Sequence, residues 1–346
     1  MYIDEQNPHG GDIYTHRGCL DFSANINPFG MPAAVRAAAE SAVAQSVAYP
    51  DPACRALAEK IALYEGVPRR MILCGNGAAE LIYAFAYALP KEKPVLLICP
   101  AFCEYAAACS AADLPFAQYF LKRENGFRAD ADLLSADFAA YGAVMLASPN
   151  NPTGVSIDLS LLEEMAKRGV HLFCDMCFDD LTDTPRREEV SRLLLRYPNL
   201  VVLKAFTKSF AMPGLRLGYA MCADGEFLCR MSQKTQGWNV SLPAQAAGVA
   251  ALSCGDWLCD TVRVISAERR RIAESLQAMG LAVYASETDF LLVYAKCDLY
   301  SRLLARGILV RDCANYPGLG KGFYRIAVRL PGENDRLLSV MKEVLS

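Results

Sequence analysis

The chain has 346 residues, 53% of them hydrophobic, and a formal net charge of −3. That is enough apolar material for one large core and a smaller one, and the lack of a basic excess excludes nucleic acid as a natural partner. No apolar run approaches the roughly 20 residues a membrane helix needs, and Met1 to Arg17 is too polar for a signal peptide, so a cytoplasmic, non-membrane protein is expected.

In chain order, the first forty residues read as an arm rather than a core element, with turn chemistry in Asn25-Ile26-Asn27-Pro28-Phe29-Gly30. A helix is expected from Pro32 to about Ala44, followed by an extended breaker at Tyr49-Pro50-Asp51-Pro52. Short apolar runs then read as strands: Met71 to Cys74, Val95 to Cys99, Ala143 to Ala147, His171 to Cys174, Leu200 to Leu203 and Gly218 to Cys222. Helical segments such as Ala78 to Leu89 and Leu159 to Arg168 separate most of them. Continuous apolar strands alternating with helices imply a buried, mostly parallel sheet covered on both faces. A ligand then belongs at the strands' carboxyl ends. One long helical region is expected from Ala244 to about Met279, with Glu268 to Arg271 on a solvated face. After it come strands at Phe290 to Tyr294, Ile308 to Arg311 and Tyr324 to Val328, a helix at Leu299 to Arg306, and a last helix from Asn334.

The polar motifs fall where such a sheet would place a ligand. Lys208 follows a strand among small and apolar residues, with Arg216 eight residues on; a desolvated lysine near another cation has a lowered pKa and becomes an amine nucleophile. Asp175 follows the run His171 to Cys174 and reads either as a turn cap or as the partner of a pyridinium nitrogen. The string Ser148-Pro149-Asn150-Asn151-Pro152-Thr153-Gly154 follows another strand. Gly75-Asn76-Gly77-Ala78-Ala79-Glu80 joins a strand to a helix, where free N–H groups suit a phosphate. The fourteen cysteines read as thiols, most of them small hydrophobes inside apolar runs. Cys174 and Cys177 form a C-x-x-C, but with only three histidines (His9, His16 and His171) no metal site is expected.

Taken in order, these strings resemble the pyridoxal-phosphate (PLP)-dependent aminotransferases of fold type I, class I/II, over nearly the whole chain. The resemblance implies an α/β fold: an N-terminal arm and part of the small domain at 1–44, a large PLP-binding domain at 45–255 with a mostly parallel central sheet, and a smaller C-terminal α/β domain at 256–346. It implies that Lys208 bears the cofactor, that Asp175 keeps the pyridine nitrogen protonated, that Asn151 bonds the ring hydroxyl oxygen and that Phe102 stacks on the ring. It also implies that Gly77, Ala78, Thr207 and Arg216 hold the cofactor phosphate. Tyr49 would reach the cofactor of a neighbouring subunit, making a homodimer with shared sites.

Closer strings, His9-Gly10-Gly11-Asp12-Ile13-Tyr14, Asp21 to Pro28, Arg311 to Leu319 and Tyr324 to Arg329, are similar to the branch that decarboxylates threonine phosphate to (R)-1-aminopropan-2-yl phosphate in cobalamin biosynthesis. Its sister branch is the histidinol-phosphate aminotransferases. The resemblance then implies that Arg325 binds the substrate carboxylate and Arg311 the substrate phosphate, with His9 and Asn27 also in the substrate pocket. Arginine suits both anions because its planar fork matches their oxygens. Ala205 and Ala79 stand where relatives often carry side-chain donors to the cofactor phosphate, and Phe178 stands where many aminotransferases carry tyrosine. The same residues serve decarboxylation and transamination, and the sequence leaves that choice open.

Overall fold

The computed structural model describes residues 9–345. The chain opens with a short strand β1 (Leu20–Asp21) and helices α1 (Ala33–Val43) and α2 (Arg55–Glu65). Then come β2 (Ile72–Gly75), α3 (Gly77–Ala88), β3 (Val95–Cys99), α4 (Cys103–Ala111), β4 (Phe116–Phe120), β5 (Ala143–Ala147), α5 (Leu159–Lys167), β6 (His171–Asp175) and α6 (Arg187–Arg196). β7 (Leu200–Ala205), α7 (Phe206–Ser209), β8 (Gly218–Cys222) and α8 (Gly225–Ser232) complete a seven-stranded sheet ordered β2-β8-β7-β6-β5-β3-β4. Helices α9 (Leu242–Ala251) and α10 (Gly255–Ala278) lead to β9 (Ala282–Val283), β10 (Phe290–Tyr294), α11 (Leu299–Leu304), β11 (Ile308–Leu309), β12 (Arg311–Asp312), β13 (Phe323–Ala327) and α12 (Pro331–Leu345). Among the described residues no helix is long and apolar enough to cross a membrane.

The fold is the expected α/β arrangement. β3 and β8 are buried along their whole length and β5 in all but its last residue, Ala147, as all-apolar strands covered on both faces must be. All pairings in the large sheet are parallel except those of β8, which runs antiparallel to both β2 and β7. This geometry brings the carboxyl ends of β2, β3, β5, β6 and β7, and the amino end of β8, to one edge. The edge strand β4 escapes a search for apolar runs because Phe116-Ala117-Gln118-Tyr119-Phe120 alternates between exposed and half-buried positions. Only one of its edges is paired.

Four expectations change. The arm is a core element: Phe22, Ser23, Asn25 and Asn27 are at most 2% exposed. Strand β1 pairs with β11 in parallel, and the Phe22 carbonyl accepts from Ala327 N at 2.8 Å. The stretch Ile308 to Arg311 is two strands, because β11 takes β1 as partner while β12 joins β13 in the sheet β12-β13-β10-β9. The helical region after Ala244 breaks between α9 and α10, where Ser253 and Cys254, followed by Gly255 at the start of α10, are poor helix formers. Glu268 and Arg269 are buried rather than solvated. Arg269 reaches out of α10 to Thr288 O (3.1 Å) and Asp183 (2.8 Å), and Glu268 accepts from Asn334 of α12 at 2.7 Å.

One buried ionic network fixes the strand edge. Lys204 on β7 is 2% exposed. Its Nζ lies 3.1 Å from Asp180, 3.4 Å from Glu65 and 3.7 Å from Asp179. Arg186 and Arg187 add their charges to Asp179 and Asp180, so three cations face three carboxylates. Because Asp179 and Asp180 follow Phe178 directly, the network ties the turn after β6 to β7. A buried charge left without its partner is far costlier than the pair itself. Lys204→Met should therefore lower the unfolding free energy by about 3–5 kcal/mol, read from the urea midpoint at constant slope; an unshifted midpoint would show that the network contributes nothing.

Candidate active site

The strand ends enclose a cavity of about 460 Å³. Ten of the residues expected in the site line it: Lys208, Asp175, Ala78, Phe102, Asn151, Thr207, Arg216, Arg311, Arg325 and His9. Lys208 sits in the single turn α7 directly after β7. Its Nζ stands 5.8 Å from the centre of the Phe178 ring. Burial, then the charge of Arg325 and to a lesser extent Arg216, lowers its pKa to about 8. A much larger fraction of the amine is therefore neutral near pH 7–8 than for a solvated lysine.

Asp175 ends β6 and is 9% exposed. Tyr105 Oη donates to its Oδ2 (2.8 Å) and the Cys177 N–H to its Oδ1 (3.0 Å). It makes no ion pair among the described residues. Burial raises its pKa, and these donors only partly offset that. A buried carboxylate held by two donors but lacking a cation is what a protonated ring nitrogen would complete.

The opposite end suits a phosphate. Helix α3 begins at Gly77 without a side-chain cap, which leaves its first N–H groups free toward the cavity. Arg216, in the left-handed region at φ 58°, lies so close that a Cβ on Gly77 would stand 2.5 Å from its Nη2. A Cβ on Gly218 would stand 2.7 Å from Ala78 N. Gly77 thus does not line the cavity itself; it lets Arg216 and the helix end meet. Ala79 and Ala205 face the cavity without donors, so backbone N–H groups, Thr207 and Arg216 are left to hold the anion.

At the remaining end, Arg311 and Arg325 are direct cross-strand partners on β12 and β13. Arg325 gives Nη2 to Ser23 O (2.8 Å) and Nη1 to Asn151 Oδ1, while its buried Nε has no partner. Arg311 Nη2 donates to Asn315 Oδ1 at 2.8 Å. Tyr316 Oη also donates to Asn151 Oδ1, at 3.2 Å. With its oxygen taken, the Asn151 amide offers its N–H groups to an acceptor in the cavity. His9 pairs with Glu104 at 3.0 Å and lies 5.6 Å from the Phe102 ring.

Two expected residues lie elsewhere. Asn27 is buried behind the lysine: its Nδ2 donates to Ser209 O and Thr261 Oγ1, both at 3.0 Å, and its N–H to Lys208 O at 3.1 Å. Its amide is spent on fixing the lysine turn, so it is not a substrate ligand. Tyr49 is 80% exposed, stacked 4.8 Å from Trp238, and outside the cavity. Residues that sequence reasoning missed include Tyr105, Tyr316 and Asn25. Asn25 is 1% exposed, lines the cavity, and has neither amide atom bonded. The motif offers Asn25 and Asn27 two residues apart, and nothing local says which one the cavity takes.

A lysine amine with a lowered pKa, a lone buried carboxylate, an aromatic face and an anion-binding helix end define an enzyme site for a flat, phosphorylated, nitrogen-containing aldehyde. The comparisons agree. Residues 17–341 match the family described as aminotransferase class I and II. A threonine-phosphate decarboxylase of Salmonella typhimurium is 35% identical over 94% of this chain and 91% of its own. A histidinol-phosphate aminotransferase of Desulfitobacterium hafniense is 32% identical over 94% and 92%. The solved histidinol-phosphate aminotransferase of Clostridium acetobutylicum superposes with a TM-score of 0.87, at 27% identity over 94% of this chain and 99% of the other. The chain belongs to the class I and II aminotransferase family, and its cofactor is pyridoxal 5'-phosphate.

Two outcomes test this geometry. Gly77→Ala forces a Cβ into Arg216 at a φ of +81° and should weaken cofactor binding at least about tenfold by absorbance titration, since a left-handed site resists any side chain. In the apoprotein, reductive methylation of Lys208, followed by peptide mass spectrometry, should rise with pH around 8. Arg325→Met removes a cation that favours the neutral amine, so the midpoint should move upward; a midpoint that stays put would show that Arg325 exerts no such influence.

Proposed function

We propose that the enzyme decarboxylates L-threonine O-3-phosphate to (R)-1-aminopropan-2-yl phosphate, as a lyase of cobalamin biosynthesis. The observation that carries this reading is the arginine pair on β12 and β13 facing one cavity with Lys208. A substrate with a phosphate and a carboxylate presents two anions, and the cavity wall presents two guanidinium groups. Arg325, whose Nε is unspent, takes the carboxylate. Arg311, with His9 and Asn25 beside the same cavity, takes the phosphate.

The cofactor, when bound, supplies an electron sink. Asp175 would hold the proton on its ring nitrogen, Asn151 would donate to its ring oxygen, Phe102 would cover a face, and Ala78, Thr207 and Arg216 would hold its phosphate. The chain's own part is orientation. Two fixed arginines would set the substrate's rotation about Cα. Held this way, the Cα–carboxylate bond is the one aligned. Arg325 binds the carboxylate before it leaves, and Lys208 Nζ delivers a proton to the carbon left behind. Phosphate binding, remote from the reacting bond, contributes the energy that fixes this pose.

A second reading, transamination of histidinol phosphate, is favoured by relatives of nearly equal identity that bear that name. There Arg325 would hold the carboxylate of an oxo acid in the second half-reaction, and Lys208 would remove the Cα proton. For either reaction we propose a homodimer, with Tyr49, exposed in one chain, reaching the partner's cofactor phosphate.

The holoenzyme should release carbon dioxide from L-threonine O-3-phosphate with no oxo acid present. Turnover of histidinol phosphate with 2-oxoglutarate, and none of threonine phosphate, would establish the second reading instead. Arg325→Leu should cost roughly 2–5 kcal/mol in kcat/KM, the size of losing one partner of a buried charge pair; a loss under twofold would remove Arg325 from the substrate site.

A further inference from the structure

At the mouth of the cavity, Cys103, His9 and Glu104 are arranged in a line. Cys103 Sγ lies 3.6 Å from His9 Nδ1, and His9 Nε2 lies 3.0 Å from Glu104 Oε1. Glu104 also accepts from Tyr83 Oη at 3.0 Å. The imidazole stands between thiol and carboxylate, using opposite ring nitrogens. In this order the carboxylate orients the base and the base faces the nucleophile. Cys103 is also the first residue of α4, where the helix dipole favours a negative sulfur.

Eight other thiols make the comparison. Cys99, Cys109, Cys174, Cys177, Cys222 and Cys313 are buried and burial pushes each upward in pKa. The exposed Cys229 and Cys259 have no histidine beside them among the described residues. Cys103 is half-buried, and the hydrogen bond with Cys103 first, then the one His9 donates to Glu104, raise the His9 pKa to about 9. An imidazole held against a thiol by a carboxylate is placed to accept its proton.

We infer that Cys103 is an activated thiol and a site of oxidation by hydroperoxides, with His9 as its proton acceptor and Glu104 as the group that positions His9. The step balances. His9 takes the Cys103 proton, and the thiolate sulfur attacks one oxygen of hydrogen peroxide. The O–O bond breaks, sulfur is oxidised by two electrons to a sulfenic acid, and the departing hydroxide takes the proton from His9 to leave as water. His9 and Glu104 both line the cavity, so the oxidised group lies directly behind its wall, against the imidazole that has given up its proton.

The same three residues could be read as a metal chelate, since their ligand atoms lie within 4.8 Å of one another. Here the two nitrogens face different partners, which is the geometry of a proton relay.

The test treats the holoenzyme with hydrogen peroxide and dimedone and maps labelled cysteines by peptide mass spectrometry. Cys103 should be labelled at least tenfold faster than Cys229 and Cys259 in the same sample. His9→Phe, which keeps a ring against Phe102, and Glu104→Gln should each bring Cys103 down toward that exposed-thiol rate. Labelling of Cys103 no faster than Cys229, or indifferent to both variants, overturns the proposal. So does purified protein carrying stoichiometric zinc whose removal alone unmasks the thiol. If His9→Phe fails to fold, Glu104→Gln and the within-sample comparison still decide.

Discussion

Holding a lysine amine out of water beside two arginines is the constraint on which the rest of this structure depends. The arrangement is unfavourable for a charged ammonium and lowers the Lys208 pKa to about 8. It can persist only if the backbone bearing that lysine is fixed by something else. Asn27 does this from behind, spending its amide on Ser209 O and Thr261 Oγ1. The Lys204 network does it from the preceding strand, tying β7 to the turn after β6. The buried N-terminal segment adds a third restraint, since the Ser23 carbonyl accepts from Arg325 and so couples the arm to one of the cations that perturb the lysine.

The same constraint explains how charge is divided across the cavity. Asp175 has its carboxylate secured by Tyr105 and a backbone N–H but no cation, while the arginines at the far end are held by neutral oxygens of Ser23, Asn151 and Asn315. Neither end neutralises the other. Each remains available to a ligand that carries a cationic ring nitrogen at one end and anions elsewhere. The close contacts made possible by Gly77 and Gly218 finish the cup between them.

Most of this was legible in the sequence because strand ends and ligand motifs coincide in an open α/β sheet. Lys208, Asp175, Asn151 and Arg216 follow or precede apolar strands whose burial is dictated by composition alone. What escaped detection depends on distant partners. Glu268 and Arg269 look like a solvated block until Asp183, Thr288 and Asn334 are known to surround them. The arm looks detached because β1 is two residues long and its partner β11 lies almost three hundred residues away in sequence. Asn25 and Asn27 share one motif and diverge only because the lysine turn claims Asn27. Strand β4 was hidden by its place at the edge, where alternation replaces a continuous apolar run.

In the proposed reaction the cavity aligns the Cα–carboxylate bond of a phosphorylated amino acid rather than its Cα–H bond. Reaction of L-threonine O-3-phosphate in D2O, followed by NMR and carbon dioxide release together, tests it most directly. The product should carry one deuterium at the amine-bearing carbon, with carbon dioxide formed far faster than deuterium enters recovered substrate. Substrate deuterated at Cα and accumulating without carbon dioxide would contradict it.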